Sequence, residues 1–389
     1  MCDVFRIQDR FKITGRGTVY TVEKSRKALI KLGDVLFDLK GNRFKVKGIE
    51  MFRRIPEGKN IEDMPVGIMF ELIDNVEIAG NILVSELQDI NFLFCNHPLY
   101  QRKVDEDYEE EYQAAGLKHP CALFSYEDLE RGKLSLFGES ISGLTIYRGW
   151  MMKPEMYDIF YSLLEEQGII LINTPAEYRK YHLLPEWYGD YESDTAFSIW
   201  ENEGKLKDAM EMSHGLTGSY IVKDYVKSRK HEWYDACFIK KIEDVDASSK
   251  VINNFIERQG TALVGGVVLR KFEDLRSIGF HEKSGMPLSE EYRVFIFAGT
   301  VLIMDDYWTD KSEIKLSDSE KEWINKIAQS VKSNFVTVDI ARKANGELVI
   351  MEFGDGQVSG LQQIEAARFY DSFSKMKNYL MIDSLISER

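Results

Sequence analysis

Cysteine is scarce. The four residues present, Cys2, Cys95, Cys121 and Cys237, have no C-x-x-C spacing, which leaves neither a disulfide framework nor a zinc site and fits free thiols in a reducing cytoplasm. Histidine is equally thin: His97, His119, His182, His214, His231 and His281 show no H-x-x-x-H or H-x-H spacing, which removes a histidine-held metal. Long apolar runs are missing too. The longest, such as TALVGGVVL and GIILI, are strand-sized and fall short of the roughly 18 residues that a membrane span requires. Asp3, Arg6, Asp9 and Arg10 interrupt the N-terminal stretch, so no signal peptide is expected, and the expectation is a cytoplasmic protein with no membrane partner. There is no G-x-S-x-G elbow and no Cys-His signature. The glycines of LVGGVV lack a G-x-G-x-x-G frame and are expected to relieve packing in a strand.

What is present supports a folded, multidomain chain. The 389 residues fit two or three domains, and 44% hydrophobic with 12% aromatic content supplies real cores. The net charge of −14 is unevenly spread: residues 1–90 hold 15 Lys and Arg against 14 Asp and Glu, leaving −15 on the remainder. A neutral first segment joined to an acidic body suggests two ancestries. Acidity on that scale argues against broad nucleic-acid binding by the body, and no DNA partner is expected.

Residues 1–90 show short strands at turn-punctuated intervals, DVFRI, GTVYTVE, DVLFDL, RFKVKGIEMF, VGIMFEL and GNILVSE, which predicts a small all-β barrel or sandwich. Around Pro98 the texture changes. VDEDYEEEYQAAGL, YEDLERG and KPEMYDIFYSLLEEQG have helical character, and PCALFS, GLTIYRGW and IILINT have strand character; the alternation predicts an α/β sheet over residues 98–175. Residues 176–389 are expected to form a further unit. In it PEWYGDYESD is expected to be a surface loop, with Trp187, Tyr188 and Tyr191 as core or loop anchors, and a helix is expected near 246–259. In SDSEKEWINKIAQSVKSN, Trp323, Ile327 and Val331 fall four apart and predict one buried helical face.

Three segments put charge where a simple sheet would put apolar side chains. FVTVDIARKANGELVIMEFGDGQ carries Asp339 and Glu352 on two apolar strands joined by a tight turn. Two carboxylates laid side by side cannot both stay ionised without a cation between them; the alternative is two surface acids on a hairpin. Lys223 sits on a strand followed by a basic stretch containing Lys227, Arg229, Lys230 and His231, expected to be flexible; a solvated edge strand is the alternative. In EEYRVFIFAG, alternation puts Arg293, Phe295 and Phe297 on one face, with the arginine either snorkelling at a sheet margin or aimed at an anion. Together these residue types suit a nucleotide site, with a lysine for phosphate, carboxylates for magnesium and an arginine for the transferring group.

The order and spacing resemble the ATP-grasp superfamily over roughly residues 98–375, with 98–175 as its pre-ATP-grasp domain and the unit over 176–389 as its α+β ATP-grasp domain. The acids of that family lie about 13 residues apart, in an aspartate strand and a Glu-x-Asn strand, and Asp339 to Glu352 matches. The resemblance implies ATP and Mg2+, with Lys223 and Lys227 at the phosphates and GVVLRKFEDL (Arg270, Lys271, Phe272, Glu273, Asp274) as the linker that reads adenine. Glu273 or Asp274 would take the ribose. It further implies that Glu291, Arg293 and Val294 form the E-x-R-V strand, that Arg293 is catalytic, and that Arg148 in YRGWMM faces the acceptor carboxylate. The expected Asn falls on Gly354, so Asp355 is expected to replace it beside Asp339 and Glu352 as a metal ligand. The function implied is a carboxylate–amine ligase acting through an acyl phosphate on small-molecule or peptide substrates; a regulatory ATP-binding module and a phosphotransferase are the rivals.

Residues 1–90 resemble the β-barrel domain II of elongation factor Tu-type translation factors, in DVFRIQDRFKITGRGTVYT, LGD, VKGIEMFRR and EIAGNILVSE. The GTPase signatures G-x-x-x-x-G-K-[ST] and N-K-x-D occur nowhere. The barrel would therefore bind RNA, a protein partner or its own body, and its neutral charge favours the last two.

Overall fold

The structure, a computed structural model, describes residues 3–15, 17–24, 29–50, 65–87, 89–208, 211–283, 285–308 and 316–373. Cys2, residue 16 of the first barrel motif, residues 51–54 of VKGIEMFRR and everything after residue 373 lie outside the described residues.

The six expected N-terminal strands form β1 (Val4–Ile13), β2 (Gly17–Lys24), β3 (Val35–Asp38), β4 (Arg43–Glu50), β5 (Val66–Leu72) and β6 (Ile82–Val84). They close into a barrel in the order β1-β2-β5-β4-β3-β6, with every pairing antiparallel. Alternation drives Phe5, Ile7, Tyr20, Val22, Phe44, Val46 and Ile68 inward as one apolar cluster.

The barrel is bonded to the rest of the chain. Val4, Ile82 and Val84 share an apolar cluster with Phe92, Phe94, Phe295, Phe297, Phe335 and Phe369 of the body. Arg6 donates to the carbonyls of Leu171 and, at 3.2 Å, Ile172, and lies 3.6 Å from Glu177. The Asn81 backbone N–H donates to Asn334 Oδ1 at 3.1 Å. At Gly80, with φ of +69°, a Cβ would stand 2.9 Å from Asn334 Oδ1, so only glycine allows that approach.

The second sheet begins at Asn91, ahead of the expected residue 98. It contains β7 (Asn91–His97), β8 (Tyr100–Val104), β9 (Cys121–Phe124), β10 (Leu136–Gly138), β11 (Gly143–Arg148) and β12 (Ile169–Leu171), ordered β10-β9-β7-β11-β12 with β8 paired to β7. Its helices are α1 (Glu109–Gly116), α2 (Tyr126–Glu130) and α3 (Pro154–Glu166). Pairings β9-β7, β7-β11 and β11-β12 are parallel, as the alternation of helix and strand demands.

Next come α4 (Pro175–His182) and α5 (Leu184–Tyr188). Thr174 and Glu177 form a capping box that fixes the start of α4. The expected surface loop PEWYGDYESD is corrected here: α5 enters the core, and Trp187, which is fully buried, meets Phe353 edge-on at 5.3 Å. Burying that indole and the rings of Tyr188 and Tyr191 outweighs the turn-forming Gly189 and Asp190.

A third sheet, ordered β13-β16-β14-β15, holds β13 (Ser198–Asn202), β14 (Tyr220–Lys223), β15 (Phe238–Ile239) and β16 (Gly266–Lys271), with α6 (Trp233–Ala236) and α7 (Val245–Gln259). The hairpin of β17 (Ser277–Phe280) and β18 (Pro287–Ser289) follows. The last sheet, ordered β20-β19-β21-β22, contains β19 (Glu291–Phe297), β20 (Thr300–Asp306), β21 (Phe335–Arg342) and β22 (Leu348–Asp355), with α8 (Asp318–Ser330). In α8 the buried residues are Ile324, Ile327 and Ala328, and Trp323 and Val331 flank them half-buried; the expected stripe is rotated by about one position. Among the described residues no helix is long and apolar enough to cross a membrane.

Candidate functional site

A cavity of about 580 Å³ opens between the third sheet, the β17-β18 hairpin and the last sheet, a size suited to a nucleotide-scale ligand. Its polar floor is the cross-strand pair Asp339 and Glu352, which lie directly opposite each other on β21 and β22. Their juxtaposition depends on a β-bulge. Ile340 pairs with Ile350, and the next pair is Asp339 with Glu352, so Met351 is the extra residue. Without it Asp339 would face Met351, and Glu352 would turn toward the core side where Phe353 now sits; a bulge re-aims side chains in this way.

The two carboxylates are met by cations from two sheets, Glu352 by one from the third sheet and Asp339 by one from its own. Lys223 Nζ donates to Glu352 Oε1, from the end of β14. Arg293, opposite Asp339 on β19, clamps it bidentately, with Nε 2.8 Å from Oδ1 and Nη2 2.6 Å from Oδ2, and donates through Nη1 to Gly360 O at 2.7 Å. Its guanidinium stacks 4.8 Å from the centre of the Tyr307 ring. Three of its five N–H groups are thus engaged within the protein. The protein packed around it would raise the Glu352 carboxyl even though its side chain is partly exposed, but the charge and hydrogen bond of Lys223, aided by Lys230 and Arg270, bring it below the ordinary value. Burial would lower the Arg293 guanidinium, and Asp339 more than reverses that, holding it above its ordinary value.

The basic stretch after Lys223 is ordered rather than flexible. Asp224 Oδ1 accepts from the amides of Val226 at 2.7 Å and Lys227 at 2.5 Å, and Arg229 pairs with Glu232 at 2.6 Å. That turn brings Lys227, Lys230 and His231 to the cavity wall. Sequence reasoning left Lys230 without a role. The side chain is exposed to the cavity; the protein around it opposes its charge, yet Glu291, Tyr307, Glu352 and Asp339 together raise its pKa, so it faces the same anionic floor. His182, also missed, lines the cavity from the end of α4; burial drives its pKa to about 3, against the pull of Glu352, so the imidazole is neutral. Neither residue has a motif; only the fold gathers them.

Several expected residues stand elsewhere. Arg148 is fully buried and is not among the cavity-lining residues. It grips Glu111 with Nε at 2.9 Å and Nη2 at 3.0 Å, and its Nη1 donates to Gly356 O at 2.5 Å and Ser359 O at 2.9 Å. With four N–H groups so engaged beneath the cavity floor, it is corrected from a substrate-facing group to a brace. Asp355 borders the cavity, but its side chain falls on the strand face opposite Glu352 and is fully buried. It accepts from Asn173 Nδ2 at 2.6 Å and from Gln357, backbone N–H at 2.9 Å and Nε2 at 3.1 Å, and burial lifts its pKa to about 7. It is corrected from metal ligand to structural carboxyl.

The linker is also split in its roles. Arg270 touches the cavity edge, but Nη1 reaches Ala196 O at 3.2 Å and Ser198 Oγ at 2.9 Å, and Nη2 reaches Thr195 Oγ1 at 2.8 Å, Ile350 O at 3.2 Å and Met351 O at 2.8 Å. It therefore clasps the bulge that aims Glu352 and has little left for a ligand; burial lowers its pKa to about 10. The Lys271 and Phe272 amides bond to Phe197 O and Ser219 O at 2.8 and 2.9 Å, so they are not available to a base. Phe272 supplies an apolar wall with Phe238, at 5.0 Å between ring centres, and Trp233, at 6.0 Å. Glu273, 3.4 Å from Lys343, and Asp274 line the cavity beyond the strand.

Among the described residues no group of three or more His, Cys, Asp and Glu side chains could hold a metal ion. Two neighbouring carboxylates with hard oxygens do fit a magnesium ion that draws its other ligands from phosphate and water.

Residues 211–373 match a family model described as an ATP-grasp domain, the third family of its clade. A curated relative, UDP-N-acetylmuramoyl-L-alanyl-D-glutamate--L-lysine ligase from Streptococcus sanguinis (strain SK36), is 24% identical over 243 residues, which is 55% of this chain and 48% of the relative. The chain thus spans about half the length of that relative. Among solved structures, D-cycloserine synthetase DcsG is similar with 12% identity and a TM-score of 0.47, over 74% of this chain and 99% of that one. D-alanyl-alanine synthetase A from Vibrio cholerae O1 biovar eltor str. N16961 is similar with 13% identity and a TM-score of 0.47, over 76% of this chain and all of that one.

Proposed function

We propose, from the ATP-grasp domain that residues 211–373 carry, that the protein is an ATP-dependent ligase joining a carboxylate to an amine. The observation that carries the reading is the paired floor of the cavity, Asp339 beside Glu352 with Arg293 and Lys223 on them. The name of the S. sanguinis relative, a D-glutamate–L-lysine ligase, describes a union of the same kind.

In this reading a substrate carboxylate oxygen attacks the γ-phosphorus of ATP, the bond to the β–γ bridging oxygen breaks, and ADP leaves. The amine nitrogen then attacks the acyl carbon, phosphate leaves, and the amine gives up its proton. Magnesium, held by Asp339 and Glu352, would supply charge neutralisation at the phosphate oxygens. Lys223 and Lys230 contribute positive charge for the triphosphate, with Lys227 at the rim. Arg293 stays on Asp339 and turns its remaining N–H groups to the transferring phosphoryl group and the later oxyanion, a task worth several kcal/mol, about 3, in a closed site. Phe272 and Trp233 provide the apolar wall for a base, and Glu273 or Asp274 the ribose acceptors.

Calorimetry with ATP and with GTP, each with magnesium, followed by product analysis with candidate carboxylates and amines, tests the reading. Selective ATP binding and amine-dependent amide formation are expected. Preference for GTP, or ADP release that leaves a phosphorylated product and consumes no amine, would overturn it.

A further inference from the structure

The floor of the cavity has a second cross-strand pair beside the acids. Thr337 and Gly354 face each other one step along from Asp339 and Glu352, on the same side of the two strands. Gly354 has no side chain to offer, and a Cβ there would stand 2.8 Å from Thr337 Oγ1 and 2.7 Å from Ser359 Oγ. The two hydroxyls therefore occupy the volume that a side chain at 354 would take. Both are buried, at 2% and 5% exposure, and both line the cavity.

Their hydrogen bonds give that pair a direction. Ser359 Oγ donates to Asp355 O at 2.9 Å, so across its 2.7 Å contact with Thr337 Oγ1 it is the acceptor. Thr337 must then donate to Ser359. Its other partner, Gly354 O at 3.4 Å, is a carbonyl and also takes the proton. Either way the Thr337 proton stays inside the protein, and what its oxygen has left are lone pairs. A phosphate needs a donor and cannot use them; a hard cation can.

We infer that Thr337 Oγ1 is the third protein oxygen of the divalent-cation site formed with Asp339 and Glu352, oriented for that role by Ser359. The inference rests on the ligase reading above, because it assumes that a cation enters with the nucleotide. It adds one neutral oxygen to those of the two carboxylates, for a cation that prefers six ligands.

The test uses the full chain, a non-hydrolysable ATP analogue and Mn2+, with free Mn2+ followed by electron paramagnetic resonance. Thr337→Val keeps the shape and removes the lone pairs; its Mn2+ affinity is expected to fall by about tenfold or more, with analogue binding in the absence of metal unchanged. Thr337→Ser is expected to bind Mn2+ as the wild type does. Thr337→Cys replaces a hard oxygen with a soft sulfur, so its Cd2+ to Mg2+ affinity ratio is expected to rise by about tenfold or more, a comparison made within one variant and therefore insensitive to any loss of folded protein. Unchanged Mn2+ affinity in Thr337→Val, or an unchanged Cd2+ to Mg2+ ratio in Thr337→Cys, overturns the assignment and leaves the ligase reading standing. A wild type that binds neither the analogue nor Mn2+ with it overturns both.

Discussion

Glu352→Gln and Asp339→Asn, made side by side, separate what the two acids do for the reaction from what they do for the fold. Each change keeps the shape and removes one charge. At Asp339 the partner is Arg293, with both side chains about 10% exposed and two short hydrogen bonds between them. Removing one member of so buried a pair leaves an uncompensated charge and costs about 3–5 kcal/mol. At Glu352 the lysine is 9% exposed but the glutamate side chain is 37% exposed, so water screens the loss and the cost is about 1–2 kcal/mol. For a domain of this size that is about 2–8 °C in Tm for Glu352→Gln and about 6–20 °C for Asp339→Asn. Both variants lose half of the carboxylate charge presented to the metal, so magnesium-dependent ADP formation is expected to fall by about 100-fold or more in each, including in Glu352→Gln where the fold is nearly intact. Thermal unfolding and a coupled ADP assay below the lower Tm measure both quantities. Turnover of Glu352→Gln within about twofold of wild type would refute its metal role, and equal loss of stability in the two variants would refute the burial argument.

Mg2+ without nucleotide is expected to give no calorimetric signal, because Lys223 and Arg293 already neutralise both carboxylates; stoichiometric binding of the bare ion would contradict this. Arg148→Met and Glu111→Gln are each expected to cost about 3–5 kcal/mol in denaturant unfolding, with the double variant losing far less than their sum, since each removes the same buried pair; full additivity would show that the two do not act together. His182 titrates at about 3 in the fold against roughly 6.5 unfolded. The unfolded chain therefore takes up the extra proton, and stability present above about pH 6.5 is lost as pH falls toward 3, by about 1–2 kcal/mol between 6.5 and 5 from this group alone. His182→Phe is expected to shrink that loss in urea midpoints measured at pH 6.5 and 5, and an unchanged pH slope would argue that the imidazole charges readily in place. Trp187→Ala is expected to cost about 3–5 kcal/mol, a loss that a solvent-exposed loop would not show in the same unfolding assay.

The barrel strands were legible because each alternates or clusters apolar residues between glycine-rich turns, a local signal. The acid pair was legible for the same reason: an unmistakable turn, Lys343 to Glu347, lies between Asp339 and Glu352. Their exact opposition was not, because it depends on the bulge at Met351, and LVIM is an apolar run whose phase shift leaves no mark in composition. Arg148 and Asp355 were misassigned because charge in a glycine-rich stretch looks functional until its partners, Glu111 some 37 residues away and Asn173 some 182 away, are brought beside it. Lys230 and His182 were passed over for the converse reason. Distances in sequence hide both kinds of neighbour, and PEWYGDYESD shows that turn-forming residues between aromatic ones yield to the aromatic burial.

Arg270 belongs to one sheet and the bulge it clasps belongs to another. The position of Glu352 is therefore not a local property of its own hairpin but is written jointly by two layers that meet only in the folded molecule. The hairpin of β21 and β22 carries the acids, yet it cannot by itself choose which way the second one points. A site built in this way is complete only where the two layers are docked, so the direction of Glu352 belongs to the packing between sheets as much as to the hairpin's own sequence.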